Sequence, residues 1–217
     1  IEGINFNGSE SQSRFLEIGH GPEVNLTIED CEVSGFESQY WWGGAVLNVS
    51  EGGTGSFGKG SVSLINCTLS DNAATASNNT DIATGIVSIF ADEAVFDLSL
   101  EGCTVENNST IGRGLFYLEN TNLTLSGTTF AENSARQGGV VYVGGTDFTD
   151  RASVLEAVNS TFVGNTASEG GGVIYLAHGE ATLTNCTLTR NTAATGGAIY
   201  MTGGTAVELL NTIVAGN

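Results

Sequence analysis

The sequence predicts an all-β fold: a right-handed single-stranded parallel β-helix of about seven to eight coils, each with three short strands. Three observations predict it. One short signature returns eight times along the 217 residues. It is a polar residue or glycine, a small residue, one further residue, and then a large apolar one. A second signature, a glycine pair followed by apolar residues, falls midway between copies of the first. Every apolar run alternates with period two, and no period leaves room for a helix.

The first signature reads Asn66-Cys-Thr-Leu69, Gly102-Cys-Thr-Val105, Gly127-Thr-Thr-Phe130, Asn159-Ser-Thr-Phe162, Asn185-Cys-Thr-Leu188 and Asn211-Thr-Ile-Val214. Weaker copies stand at Asp30-Cys-Glu-Val33 and Gly3-Ile-Asn-Phe6. From Phe6 to Val214 the apolar anchors are spaced 27, 36, 36, 25, 32, 26 and 26 residues apart, a base period of about 26 with insertions. Asparagine follows three residues after six anchors, as Asn72, Asn108, Asn133, Asn165, Asn191 and Asn217. The second signature reads Gly43-Gly-Ala-Val46, Gly138-Gly-Val-Val-Tyr142, Gly171-Gly-Val-Ile-Tyr175 and Gly196-Gly-Ala-Ile-Tyr200. A third run stands just before each anchor, as in Leu98/Leu100 and Leu123/Leu125.

Parity assigns faces. The middle strands should bury pairs such as Val87/Ile89, Phe116/Leu118 and Ile174/Leu176. Tyr117, Tyr142, Tyr175 and Tyr200 should then point outward, with Leu115, Val140, Val173 and Ala198 beside them. An outward aromatic ladder with an apolar border suits lateral contact with a protein or a glycan. Trp41 and Trp42 either extend that patch or cap the core. The post-anchor asparagines should stack as an amide column and tolerate left-handed backbone at a corner. Cys31, Cys67, Cys103 and Cys186 share one inward position. In-register side chains point the same way, so buried free thiols are expected, with no disulfide and no metal site.

The pairing of Gly-Gly-Ala-Ile with Phe-x-x-Asn resembles the repeat of chlamydial-type polymorphic outer membrane proteins. The matching residues are Gly196-Gly-Ala-Ile199, Gly43-Gly-Ala-Val46, Phe130-Ala-Glu-Asn133 and Phe162-Val-Gly-Asn165. The resemblance implies a β-helical, surface-exposed chain used in adhesion. The coils near Val33 and Leu69 depart from the pattern, and this chain has no β-barrel translocator.

Charge narrows the partners. Twenty-four acidic residues against six basic ones give a formal net charge of −18, which repels nucleic acid and anionic lipid. No apolar run is long enough to cross a bilayer as a helix. The chain opens at Ile1, as expected of a mature or excised piece, so residues 1–217 form one domain or a segment of a longer β-helix. Ten N-glycosylation sequons occur: Asn7, Asn25, Asn48, Asn66, Asn78, Asn107, Asn108, Asn122, Asn159 and Asn185. Parity favours Asn25, Asn48 and Asn122, which should point outward, and Asn78 in an inserted loop; Asn7 and Asn107 are further candidates.

Catalysis is not expected, although pectate lyases and polygalacturonases share this architecture. Lyase chemistry of that kind needs a base, and Arg14, Lys59, Arg113, Arg136, Arg151 and Arg190 are the whole basic set. The acidic groups Asp92/Glu93/Asp97 and Asp147/Asp150 match no hydrolase motif, and His20 and His178 stand alone. No cofactor is implied. The chain begins and ends in the anchor motif, at Gly3-Ile-Asn-Phe6 and Val214-Ala-Gly-Asn217, with neither end showing a polar cap. In-phase ends suit head-to-tail stacking. The expectation is therefore an extracellular or cell-surface structural glycoprotein that self-associates end to end into a filament or appendage. A surface adhesin is the alternative, and a polysaccharide lyase or hydrolase stands third.

Overall fold

The computed structural model describes residues 1–8, 14–19, 23–39, 44–49, 60–75, 85–91, 95–144 and 152–217. They form an all-β, right-handed parallel solenoid. Each lap runs through four strands, which we term anchor, corner, middle and pre-anchor. Like strands of successive laps pair in parallel, so four sheets run along the rod. The anchor sheet has eight described strands, from Asn5–Asn7 to Ile213–Ala215. The corner sheet has six, from Glu37–Ser38 to Thr192–Thr195. The middle sheet has seven, from Leu16–Ile18 to Ile199–Met201, and the pre-anchor sheet seven, from Asn25–Glu29 to Ala206–Leu210.

Register is set by the anchors. Phe6, Val33, Leu69, Val105, Phe130, Phe162, Leu188 and Val214 pair position for position up the anchor sheet. Phe130 and Phe162 stack with ring centroids 5.3 Å apart, and Phe116 meets Phe130 edge-on at 5.7 Å. A slip by one residue would turn each of these rings to solvent, so the apolar column itself enforces the register.

Three expectations are corrected. Each full lap carries four strands rather than three, and about six laps are complete rather than seven to eight. The unforeseen corner strands are short and poor in large apolar residues, as in Ala73–Ala74, Ser109–Thr110 and Ser134–Gln137. Their inward residues Ala74, Thr110, Ala135 and Ala167 are small and buried.

The second correction concerns parity. Leu115, Val140, Val173 and Ala198 lie in the main core, not beside the tyrosines. Consecutive N–H groups of Val140 and Val141 both donate to the Val173 carbonyl, and those of Val173 and Ile174 both donate to Ala198. This bulge turns two successive side chains inward and resets the alternation after each glycine corner.

The third concerns the left-handed residues. The amide-column asparagines are not left-handed; the residue before each one is. Asp71, Asn107, Glu132, Gly164, Arg190 and Gly216 hold φ between 53° and 67°. A second left-handed corner opens each anchor signature, at Gly3, Asp30, Asn66, Gly102, Gly127, Asn159, Asn185 and Asn211.

The amide column itself is present. The Nδ2 of Asn72 donates to Asn108 Oδ1 at 3.0 Å, and the relay continues through Asn133, Asn165 and Asn191 to Asn217. Each Oδ1 also accepts the backbone N–H of the rung below. Each Nδ2 reaches back to an anchor-strand carbonyl one lap down, as from Asn133 to Val105 at 2.9 Å. At the foot of the column, the Phe36 N–H donates to Asn72 Oδ1.

Asn133→Ala should therefore strand the buried backbone N–H of Asn108 and take one of three acceptors from its Nδ2, at a cost of about 1–3 kcal/mol. We expect a loss of that order in urea unfolding. Asn107→Gly, at a left-handed site outside the column, should shift stability by less than about 1 kcal/mol.

Candidate functional surfaces

The outer column of the middle sheet runs Glu17, Asn48, Ser88, Tyr117, Tyr142, Tyr175 and Tyr200. The tyrosine rings stack at centroid spacings of 5.4, 5.3 and 4.8 Å, and Phe90 lies 5.1 Å below Tyr117. Tyr117 and Tyr142 are buried, and Tyr175 and Tyr200 are half-buried. The expected exposed stripe is thus a spine that is covered at Tyr117 and Tyr142 and half-open at Tyr175 and Tyr200. Glycines let the rings lie against backbone: a Cβ on Gly144 would come within 2.7 Å of the Tyr142 ring. One on Gly170 would stand 3.2 Å from Tyr200 and 3.3 Å from Tyr175.

Polar groups close over the spine. The Arg113 guanidinium lies 5.5 Å from the Tyr142 centroid, and the Tyr117 hydroxyl donates to the Glu119 carboxylate. Arg136 pairs with Glu169 at 3.6 Å, and Gln137 Nε2 donates to Glu169 at 2.6 Å. A sugar ring stacks on a free aromatic face, and here the faces are spent on one another. Trp41 and Trp42 lie outside the described residues.

Burial raises the pKa of Tyr117, Tyr142 and Tyr175, with Glu119 adding to the rise at Tyr117 and Arg113 opposing it at Tyr142. Their ordinary value is 10.0. Above it the unfolded chain sheds protons that the folded chain keeps, so the tyrosines' contribution to stability is full below pH 10.0 and is lost as pH rises further. Unfolding midpoints measured across that range should drop, and the drop should shrink in Tyr142→Phe.

The four cysteines are buried and free. Cys67 Sγ lies 3.4 Å from the Ile28 carbonyl and 3.2 Å from that of Ile65. Thr128 Oγ1 makes the equivalent bonds to Leu100 and Ser126, and Thr212 to Leu183 and Leu210. Each side chain at this position also accepts an N–H from the lap below: Cys103 Sγ from Cys67, Ser160 Oγ from Thr128, Thr212 Oγ1 from Cys186. Thiol and hydroxyl are thus interchangeable pegs in one corner. Burial pushes the Cys103 thiol up to about 11, and raises Cys67 and Cys186 as well. These thiols stay protonated and weakly nucleophilic at neutral pH. A thiol reagent should label the protein only on unfolding. Cys103→Thr should unfold within about 1 kcal/mol of the parent, while Cys103→Val should cost more by orphaning the Cys67 N–H.

The sequons separate by environment. Asn48, expected to point to solvent, is 1 % exposed in the outer column between Glu17 and Ser88. A glycan there is incompatible with this packing. Facing outward from a sheet is not the same as being exposed when that face is covered. Asn108 belongs to the amide column and is equally buried. Asn7, Asn25, Asn66, Asn107, Asn122, Asn159 and Asn185 are exposed. Asn78 lies outside the described residues, as do His20, Lys59, Asp92, Glu93, Asp147, Asp150 and Arg151. His178 is exposed. Among the described residues no group of three or more His, Cys, Asp or Glu is placed to hold a metal ion, and no helix is long and apolar enough to cross a membrane.

The last surface is the end face above the final lap. There the inward residues Met201, Leu209 and Val214 are 42 %, 45 % and 44 % exposed, although each continues a column that is buried lower down. Leu210 and Ile213 flank them on the outer sides and are also exposed. Asn217 stands at the top of the amide column on this face.

A family model described as right handed beta helix region matches residues 1–217. No curated protein matches, and no solved structure matches.

Proposed function

The chain belongs to the right handed beta helix family over all of residues 1–217, and from that premise we propose a non-catalytic, structural role outside the cell or on its surface. In this reading it is a glycoprotein rod that lengthens end to end by seating a coil of a second copy on the open end face. The observation that carries it is the single register of the columns, since every lap offers its neighbour the same three apolar seams. Phe6, Leu16/Ile18 and Leu26/Ile28 lie in the anchor, middle and pre-anchor columns. Val214, Ile199/Met201 and Val207/Leu209 lie in the same three columns. Copies placed head to tail would join column to column in one register, burying apolar area worth roughly 25 cal/mol per Å².

The repeat's likeness to polymorphic outer membrane proteins, in Gly196-Gly-Ala-Ile199 and Phe130-Ala-Glu-Asn133, favours a second reading, a surface adhesin. Both readings share a surface location and a passive solenoid, and differ in what the rod touches. An enzymatic role would need converging carboxylates or a base in a cleft, and the supports here are of another kind.

Sedimentation and negative-stain microscopy over a concentration series test the proposal. The expected result is linear oligomers that Leu209→Glu/Val214→Glu disperses while the circular dichroism of the fold persists. Monomers of the parent chain at every concentration would sink end-to-end assembly and leave the adhesin reading, which a cell-binding assay then addresses.

A further inference from the structure

Three surfaces are left over by this function: the sequons, the tyrosine spine and the outer face of the anchor sheet. The spine is closed by its own stacking. The outer anchor face carries a threonine column, Thr68, Thr104, Thr129, Thr161 and Thr187, beside a mixed one, and nothing among the described residues marks a ligand there. The sequons carry further, because the fold sorts them.

An N-linked glycan needs a side-chain amide that tolerates a bulky substituent, followed two residues on by a hydroxyl. Among the sequons whose Asn and hydroxyl residue are both described, Asn25 and Asn122 alone have both groups exposed, with Thr27 and Thr124; Ser9 of the Asn7 sequon lies outside the described residues. Both lie on the outer face of the pre-anchor sheet, where Asn and Thr of each sequon point to the same side of an extended strand. Asn25 Nδ2 donates one bond to Glu23 at 3.1 Å, and Asn122 Nδ2 one bond to Asp97 at 2.8 Å. An amide nitrogen carries two hydrogens, so each can take a sugar on one and keep its bond through the other.

The remaining sequons are placed differently. Asn108 Nδ2 already serves Leu69, Glu106 and Asn133 inside the core. Asn66, Asn107, Asn159 and Asn185 sit at left-handed corners, each with its hydroxyl partner half-buried. The amide of Asn66 reaches Asp30 and that of Asn185 reaches Asn159. Asn159 and Asn185 occupy adjacent laps, about 4.8 Å apart, where two glycans would collide. Asn25 and Asn122 occupy one column, Asn25–Ser61–Asp97–Asn122, three laps apart, or about 14 Å. Both can be filled at once.

We propose that Asn25 and Asn122 are the glycan-bearing positions, which makes the outer face of the pre-anchor sheet the sugar-covered side of the rod. This rests on the extracellular glycoprotein reading above. It directs lateral protein contact to the other faces and leaves the end face clear for stacking.

The test is site mapping on the chain taken from the surface or medium of the cells that make it. Enzymatic release of N-glycans in heavy-oxygen water converts each occupied Asn to a mass-tagged Asp. The expected result is tags at Asn25 and Asn122 and none at Asn48 or Asn108. Tags confined to other sequons would overturn this assignment and leave the glycoprotein reading standing. No tag anywhere would overturn both. Asn25→Gln/Asn122→Gln should remove the glycan mass while leaving the thermal unfolding transition cooperative. Retention of the full glycan mass in that variant would also overturn the assignment.

Discussion

A parallel solenoid must turn its backbone out of one sheet and into the next on every lap, and each turn takes N–H and C=O groups away from their ladders. In this rod, from Asn72 onward, one such turn is served by a single asparagine per lap. The carboxamide accepts from the rung below, donates to the rung above, and reaches back to an anchor-strand carbonyl. No other side chain offers donor and acceptor with that reach on one flat group. The anchor stack, the corner strands and the glycine bulge all keep their places relative to this buried amide column. It converts a turn that would bury unpaired polar groups into a continuous hydrogen-bonded seam.

That economy explains why so many chemically suggestive residues turn out to be scaffold. The cysteines occupy a peg position that Thr128, Ser160 and Thr212 fill equally well, and their raised pKa follows from the burial that the role demands. The tyrosines stack because in-register laps place like above like at ring-stacking distance. Repetition at the lap spacing creates ladders whether or not any of them meets a partner. What a repeat fold leaves open to function is therefore what breaks or escapes the ladders: an end face, and polar groups exposed on an outer face.

The fold was legible because its determinants repeat. Eight copies of the anchor signature announce the solenoid even where single copies, such as Gly3-Ile-Asn-Phe6, are weak. The amide column was legible for the same reason, from Asn72 to Asn217. The corner sheet was not, since Ala73–Ala74 and Ser109–Thr110 are too short for period-two alternation to show and their inward residues are small. The parity of Leu115 and Val140 failed at the bulge, a backbone event with no residue signature beyond the preceding glycines. Asn48, Tyr117 and Tyr142 stand on the expected side of the sheet but are buried, while Tyr175 and Tyr200 are half-buried. Alternation reports direction, and cover comes from segments distant in sequence.

The amide column has one more property. From Asn72 to Asn217 every carboxamide points its nitrogen the same way along the rod, so the seam is a row of arrows rather than a neutral brace. At its foot it presents an oxygen, taken by Phe36 N–H. At Asn217 its nitrogen side faces onward. The two directions along the rod are therefore chemically unlike in a way that shape alone does not convey. A carboxamide rung running the same way sets oxygen to nitrogen, while an inverted one would set nitrogen against nitrogen. Anything assembled from such units inherits a sense of direction, as a thread inherits its pitch.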